Sequence, residues 1–216
     1  MYRMVWERRY LNVKSAEGRK PSLFSSEVIG YFPRQGKILE LGAAFGQDSR
    51  FFAERGYDVA GTDFAESALR LCAAVTPHAL RPRVTFVNLD MSSGLPFSDA
   101  YFDVVYAHLA LQYFDRTTTF AIVGKVKRVL KEGGAFAFLV NSTKDPGYGK
   151  GIGIEKDFFR IDEDIGTVSK RYFSVDTVKQ FLIGFKIILL DDSGKDYHKN
   201  ADGIHNLIRF VGTKDY

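Results

Sequence analysis

The segment Ile38–Asp63, ILELGAAFGQDSRFFAERGYDVAGTD, holds residues whose types and spacing could do chemistry. An acidic residue, Glu40, lies at the end of an apolar run. The turn Gly42-Ala43-Ala44-Phe45-Gly46 follows, and a second apolar run ends in Asp63. Glycines let the chain turn sharply and let a ligand come close to the backbone. A helix that starts after such a turn presents unpaired N–H groups. A carboxylate at the tip of the second strand can accept both hydroxyls of a ribose. Asp63 could instead cap the next helix, and Glu40 could accept from nearby loop amides. Gly42 and Gly46 are spaced GxxxG, so the dinucleotide pattern GxGxxG is absent. A carboxylate at Glu40, beside a helix N-terminus, repels phosphates and suits a cationic group. The expected ligand therefore carries a ribose and a positive charge rather than a pyrophosphate.

The surrounding chain must position these groups. Short apolar runs at 37–41, 58–62, 84–88, 102–107 and 134–141 read as strands. Amphipathic stretches at 47–55, 65–75 and 118–130 read as helices between them; in the last, Phe120, Val123, Val126 and Leu130 recur at helical spacing. Strands this apolar, alternating with helices, predict a parallel sheet covered on both faces. Beyond Ser142 the glycine-dense DPGYGKGIGI (145–154) reads as a loop, and 157–172 shows little periodicity. A short helix near 175–182, a strand at 185–190 and a last strand near 206–212 close the chain. The Gly/Asp-rich stretch 191–203 between those strands predicts a hairpin, with the final strand antiparallel.

Composition narrows the class. The 216 residues are 45% hydrophobic and 26% charged, ordinary for one globular domain. The longest charge-free runs, 104–114 and 133–143, are too short to span a bilayer, and MYRMVWERRY has no apolar signal region. The reading is a cytoplasmic protein with no membrane contact. The single cysteine, Cys72, can form no internal disulfide, and no metal site is expected. The net charge of +4 sits wholly in residues 1–34, where seven Lys and Arg face three Glu. Such an arm could steer an anion, although a solvated terminus is the plainer reading. No nucleic-acid signature accompanies it, so nucleic acid is disfavoured as a partner.

Taken together, several pieces resemble the class I S-adenosylmethionine-dependent methyltransferases: ELGAAFG (40–46), Asp63, NLDM (88–91), LPFSDAYFDVVYAHLALQYF (95–114) and VLKEGGAFAFLV (129–140). They cover about residues 37–141. DPGYGKG (145–151) and KRYFS (170–174) resemble a tellurite-resistance-type, small-molecule methyltransferase subgroup. The resemblance implies a Rossmann-like, doubly wound α/β fold. Its mostly parallel seven-stranded sheet would be ordered 3-2-1-4-5-7-6, the last strand antiparallel, with helices on both faces. The whole chain would be one domain: a basic helical arm (1–34), a cofactor-binding core (37–141), a substrate-side loop or lid (142–173), and a C-terminal helix and hairpin (174–216).

The resemblance also implies roles. Glu40, Gly42, Ala43 and Gly46 would line the methionine part of S-adenosylmethionine. Asp63 would hold the ribose, Phe64 would pack on the adenine, and Asp90 and Met91 would meet its edge. Asp90 has a plain turn reading as well. Ala107 and His108 would sit beside the transferable methyl, with His108 as the candidate general base. Tyr10, from a W-x-x-x-Y pattern at Trp6, and Tyr148 and Lys150 would reach the substrate. The family often has glycine where Ala44 stands. The implied reaction is in-line methyl transfer to a small-molecule acceptor, yielding S-adenosylhomocysteine, by a monomer or homodimer. A nicotinamide-dependent oxidoreductase and a non-catalytic S-adenosylmethionine-binding module are the alternatives.

Overall fold

A computed structural model describes residues 2–163, 166–196 and 204–215. The chain opens with helices α1 (Tyr2–Leu11) and α2 (Leu23–Val28). The core then alternates β1 (Lys37–Leu41), α3 (Gln47–Ala53), β2 (Asp58–Asp63), α4 (Glu66–Val75) and β3 (Val84–Asn88). It continues through β4 (Phe102–His108), α5 (Arg116–Val129) and β5 (Leu130–Asn141). After β6 (Ile152–Glu155), β7 (Phe158–Glu163) and β8 (Gly166–Arg171) come α6 (Val175–Phe181), β9 (Phe185–Asp196) and β10 (Ile204–Lys214).

The seven-stranded sheet runs β3-β2-β1-β4-β5-β10-β9. With the three short strands set aside, this is the expected order. β1 to β5 pair parallel with their neighbours, whereas β10 is antiparallel to both β5 and β9. Side chains alternate between two cores, as strand geometry requires. Leu39, Leu41, Val105, Ala107, Phe136 and Phe138 pack with Ile122, Val126 and Val129 of α5 and Val178 of α6. Ile38, Val104, Tyr106, Ala135 and Ala137 pack on the opposite face with Phe24 of α2 and Phe51 and Phe52 of α3. Burial on both faces is why these strands read as unbroken apolar runs. Asp115 starts α5 by accepting from Thr118 N at 2.7 Å, and Ser174 starts α6 through a capping box with Thr177.

Two segments depart from expectation. Residues 142–173 contain a three-stranded antiparallel sheet, β6-β7-β8, rather than an irregular loop. Its strands carry charge on residues that alternation alone does not mark as paired. The sheet is held by cross-strand contacts such as Lys170 with Glu163 and Thr167 with Asp162, at 2.6 Å for the latter. The N-terminal arm is docked rather than solvated. Trp6 and Tyr10 of α1 are buried against Ala65 and Ala68 at the start of α4. The stretch 191–203 begins as strand through Asp196, and its remainder, 197–203, lies outside the described residues. No described helix is long and apolar enough to cross a membrane.

Candidate active site

The turn after β1 is built by its glycines and by one alanine. Gly42 has φ of 77°, and a Cβ there would lie 2.7 Å from the Ala110 Cβ. Gly42 N and Ala43 N both donate to Thr62 O at 2.8 Å, binding the turn to the tip of β2. Gly46 has φ of 66°, and a Cβ there would meet Cys72 Sγ and Phe86 at 3.0 Å. Gly42 is thus needed for its approach to the neighbouring 108–110 loop, and Gly46 for packing beneath α3. Ala44 takes a left-handed φ of 50°, a conformation that glycine adopts at lower strain. Its amide donates to Asp63 Oδ2 at 3.0 Å, while Ala65 N donates to Oδ1 at 2.9 Å. These bonds fix the Asp63 carboxyl between the two loops. Burial raises its pKa, and the amide bonds from Ala65 and Ala44 oppose that rise.

A cavity of about 660 Å³ opens beside this carboxyl at the C-terminal ends of the strands. Such crevices are where open α/β sheets hold ligands. The turn residues Gly42, Ala44, Phe45 and Gln47 form one side, and Asp63, Phe64 and Met91 the next. His108 to Ala110, Tyr113 and Phe114 form the floor, with Asp196 from the end of β9. Trp6, Arg9 and Tyr10 of α1 and Arg19, Lys20 and Ser22 cover the remaining wall. Trp6 meets Tyr113 edge-on at 4.9 Å, and Tyr10 meets Phe45 edge-on at 5.2 Å, so aromatic contacts hold α1 over the opening. Two polar atoms of this wall, Trp6 Nε1 and Gln47 Oε1, are buried without a hydrogen-bond partner among the described residues. Buried polar groups without partners are rare, and two on one cavity point to a polar ligand.

His108 stands at the end of β4, with Nε2 3.2 Å from Asp196 Oδ2 but not in a well-directed hydrogen bond. Burial lowers the pKa of this imidazole; the Asp196 carboxylate and, at longer range, Asp48 more than compensate, so the net shift is upward. Tyr10 and Tyr113 have phenols held protonated by burial.

Of the residues singled out by sequence, Tyr10, Gly42, Asp63, Phe64, Met91 and His108 line the cavity. Glu40 does not. Alternation along β1 turns its side chain to the α3 face, where Ser49 Oγ donates to its carboxyl. Burial and the neighbouring Asp48 carboxylate push the Glu40 pKa well up. The carboxyls that line the cavity are those of Asp63 and Asp196. Ala43 and Ala107 are buried behind the wall, and Gly46 packs on Cys72 and Phe86. Asp90 borders a separate, shallower depression and holds its own turn, accepting from Ser92 N at 2.9 Å and Ser92 Oγ at 2.6 Å. Tyr148 donates to Asp157 Oδ1 at 2.7 Å, and both it and Lys150 lie outside the cavity. Their loop belongs to the small sheet. Sequence reasoning missed Asp196 and Gln47. Asp196 reaches the site only because β9 runs beyond its apolar part, a length no local pattern marks. Among the described residues, no group of three His, Cys, Asp or Glu could hold a metal.

Residues 38–134 match the family model described as a methyltransferase domain. This stretch, somewhat under half of the chain, is similar to a methyltransferase domain and holds the β1 turn, Asp63 and His108. An uncharacterised methyltransferase of Synechocystis sp. is 33% identical over 113 residues, covering 52% of this chain and 50% of that protein. The chain thus spans about half the length of the curated relative it matches. An S-adenosylmethionine-dependent methyltransferase of Methanosarcina mazei superposes with a TM-score of 0.74 at 20% identity, over 88% of this chain and 97% of the other. A Burkholderia thailandensis 1,6-didemethyltoxoflavin-N1-methyltransferase, bound to that compound and S-adenosylhomocysteine, superposes with a TM-score of 0.67 at 16% identity. It covers 96% of this chain and 81% of the other. At these identities the two structures share the fold.

The residues around the cavity fit S-adenosylmethionine, the cofactor that the resemblance implies. Asp63 is a fixed acceptor at the tip of β2, Gly42 bares backbone beside it, and Phe64 and Met91 supply apolar wall.

Proposed function

We propose that this chain transfers a methyl group from S-adenosylmethionine to a small-molecule acceptor within the cavity under α1. The observation that carries the reading is the Asp63 carboxyl, held by two backbone amides on the wall of a cavity that also exposes Gly42 and His108. In this reading Asp63 accepts from the ribose hydroxyls, Gly42 leaves room for the methionine part, and Phe64 and Met91 enclose the adenine. When bound, the cofactor supplies an already activated methyl electrophile. The protein's task is then to align and to exclude water. α1 supports that task by covering the cavity through Trp6 and Tyr10. His108 accepts a proton where the acceptor must lose one, and Asp196 steadies the resulting imidazolium.

The small size of the acceptor is supported by the cavity's volume of about 660 Å³ and by the Burkholderia structure of the same fold, which holds 1,6-didemethyltoxoflavin beside S-adenosylhomocysteine. A nicotinamide oxidoreductase is not favoured, because the turn lacks the GxGxxG that brings a pyrophosphate onto a helix N-terminus. Thermal unfolding separates the two readings. S-adenosylhomocysteine is expected to raise the melting temperature and NAD to leave it unchanged. Stabilisation by NAD alone would reverse the proposal.

A further inference from the structure

We infer that the methyl acceptor is an anion, received by Arg9, Arg19 and Lys20 on the N-terminal wall of the cavity. The inference rests on the methyl-transfer reading and adds the charge class of the substrate.

All three cations line the cavity, and none makes an ion pair with a carboxylate among the described residues. Two lie over rings that line the cavity, one on this wall and one on the β1 turn. The Arg19 guanidinium lies 3.5 Å from the centroid of Phe45, and the Arg9 guanidinium 5.2 Å from that of Trp6. A guanidinium laid on a ring keeps its N–H edge free for the paired oxygens of a carboxylate or phosphate. Partial burial and the nearby Arg9 charge lower the Arg19 pKa. An independent observation lies on the same wall. Trp6 Nε1 is a hydrogen-bond donor, 8% of its residue is exposed, and it has no partner among the described residues.

The cavity is therefore polarised. Its carboxylates stand elsewhere: Asp63 is bonded to two amides, and Asp196 faces His108. The N-terminal wall carries three cations and the Trp6 donor, and no carboxylate of its own lines the cavity. An acceptor with a carboxylate or phosphate satisfies these groups, whereas an amine would meet repulsion from three cations. The carboxylate of the cofactor's methionine part is the other source of the same chemistry, and the test distinguishes the two.

The full chain saturated with S-adenosylhomocysteine is titrated calorimetrically with four ring compounds: benzoate, phenyl phosphate, benzamide and benzylamine. The expected result is binding of the two anions at millimolar concentration and of neither other compound. Replacing both Arg9→Gln and Arg19→Gln is expected to weaken the anions about tenfold or more, with S-adenosylhomocysteine affinity changed less than about threefold. Trp6→Phe, which keeps the ring and removes the N–H, is expected to weaken them as well. Equal binding of benzamide or benzylamine, or no binding of either anion, would overturn the inference. So would a tenfold loss of S-adenosylhomocysteine affinity in the double variant, which would assign the cations to the cofactor. Failure of the wild-type chain to bind S-adenosylhomocysteine would instead overturn the methyl-transfer reading, and this inference with it.

Discussion

Two carboxyls near the same turn have opposite fates because of where β1 and β2 aim them. Asp63 ends its strand and leaves the sheet toward the cavity, so its environment is half amide and half ligand space. Glu40 is one strand residue too early, and the pleat turns it under α3. Sequence shows that both are acidic and near a helix start; only register and burial show which one faces a ligand. His108 and Asp196 make the other informative pair. The contact with Asp196 favours the imidazolium, so the His108 pKa is raised above that of a free imidazole. The sign for stability follows: this pair's contribution is present below the unfolded pKa and is lost as pH rises through the folded one. Asp196→Asn is therefore expected to lower the His108 midpoint in an NMR titration. It is also expected to destabilise the chain more at pH 5 than at pH 9. An unchanged midpoint would show that the carboxylate does not act on His108.

The elements of the parallel core are legible in sequence because each strand is apolar on both faces. The expected strands at 37–41 and 84–88 coincide with β1 and β3, and the other core strands differ from expectation only at their ends. What escapes is structure stabilised by pairing rather than by periodicity. β7 and β8 carry Arg160, Asp162 and Lys170, and their register sets Phe158 opposite Arg171. No local pattern encodes such a pairing. The docking of α1 escapes for the same reason. α4 starts at Ala65 without a side-chain cap, and Glu7 of α1 supplies one from outside. Its Oε1 accepts from Ser67 N at 3.1 Å, and the Ser67 hydroxyl donates back to Glu7 O at 3.1 Å. Glu7→Ala is expected to cost about 1 kcal/mol in denaturant unfolding, the usual value of a helix cap. It is also expected to speed amide exchange over residues 2–11. Unchanged exchange there would mean that the cross-helix bond does not hold the cover.

At the scale of the whole molecule, the sheet sets where chemistry can occur, and segments outside the core decide what kind. The order β3-β2-β1-β4 places the β1 turn, Asp63 and His108 together at the carboxyl ends of neighbouring strands. That arrangement, and the resemblance it carries, were legible from residues 37–141. The remaining wall comes from α1, from 18–22 and from the far end of β9, which are distant in sequence and lack periodic marks. The basic excess of residues 1–34 was visible as a charge count, but its meaning depends on α1 lying over the cavity rather than in solvent.

The central claim is that Asp63 anchors an adenosyl ligand in this cavity. Isothermal titration calorimetry with S-adenosylhomocysteine, on wild type and on Asp63→Ala, tests it most directly. The predicted result is saturable binding to wild type and an affinity lower by about tenfold or more in the variant, roughly 1.4 kcal/mol. No heat with well-folded wild-type protein, or equal affinity in the variant, would contradict it.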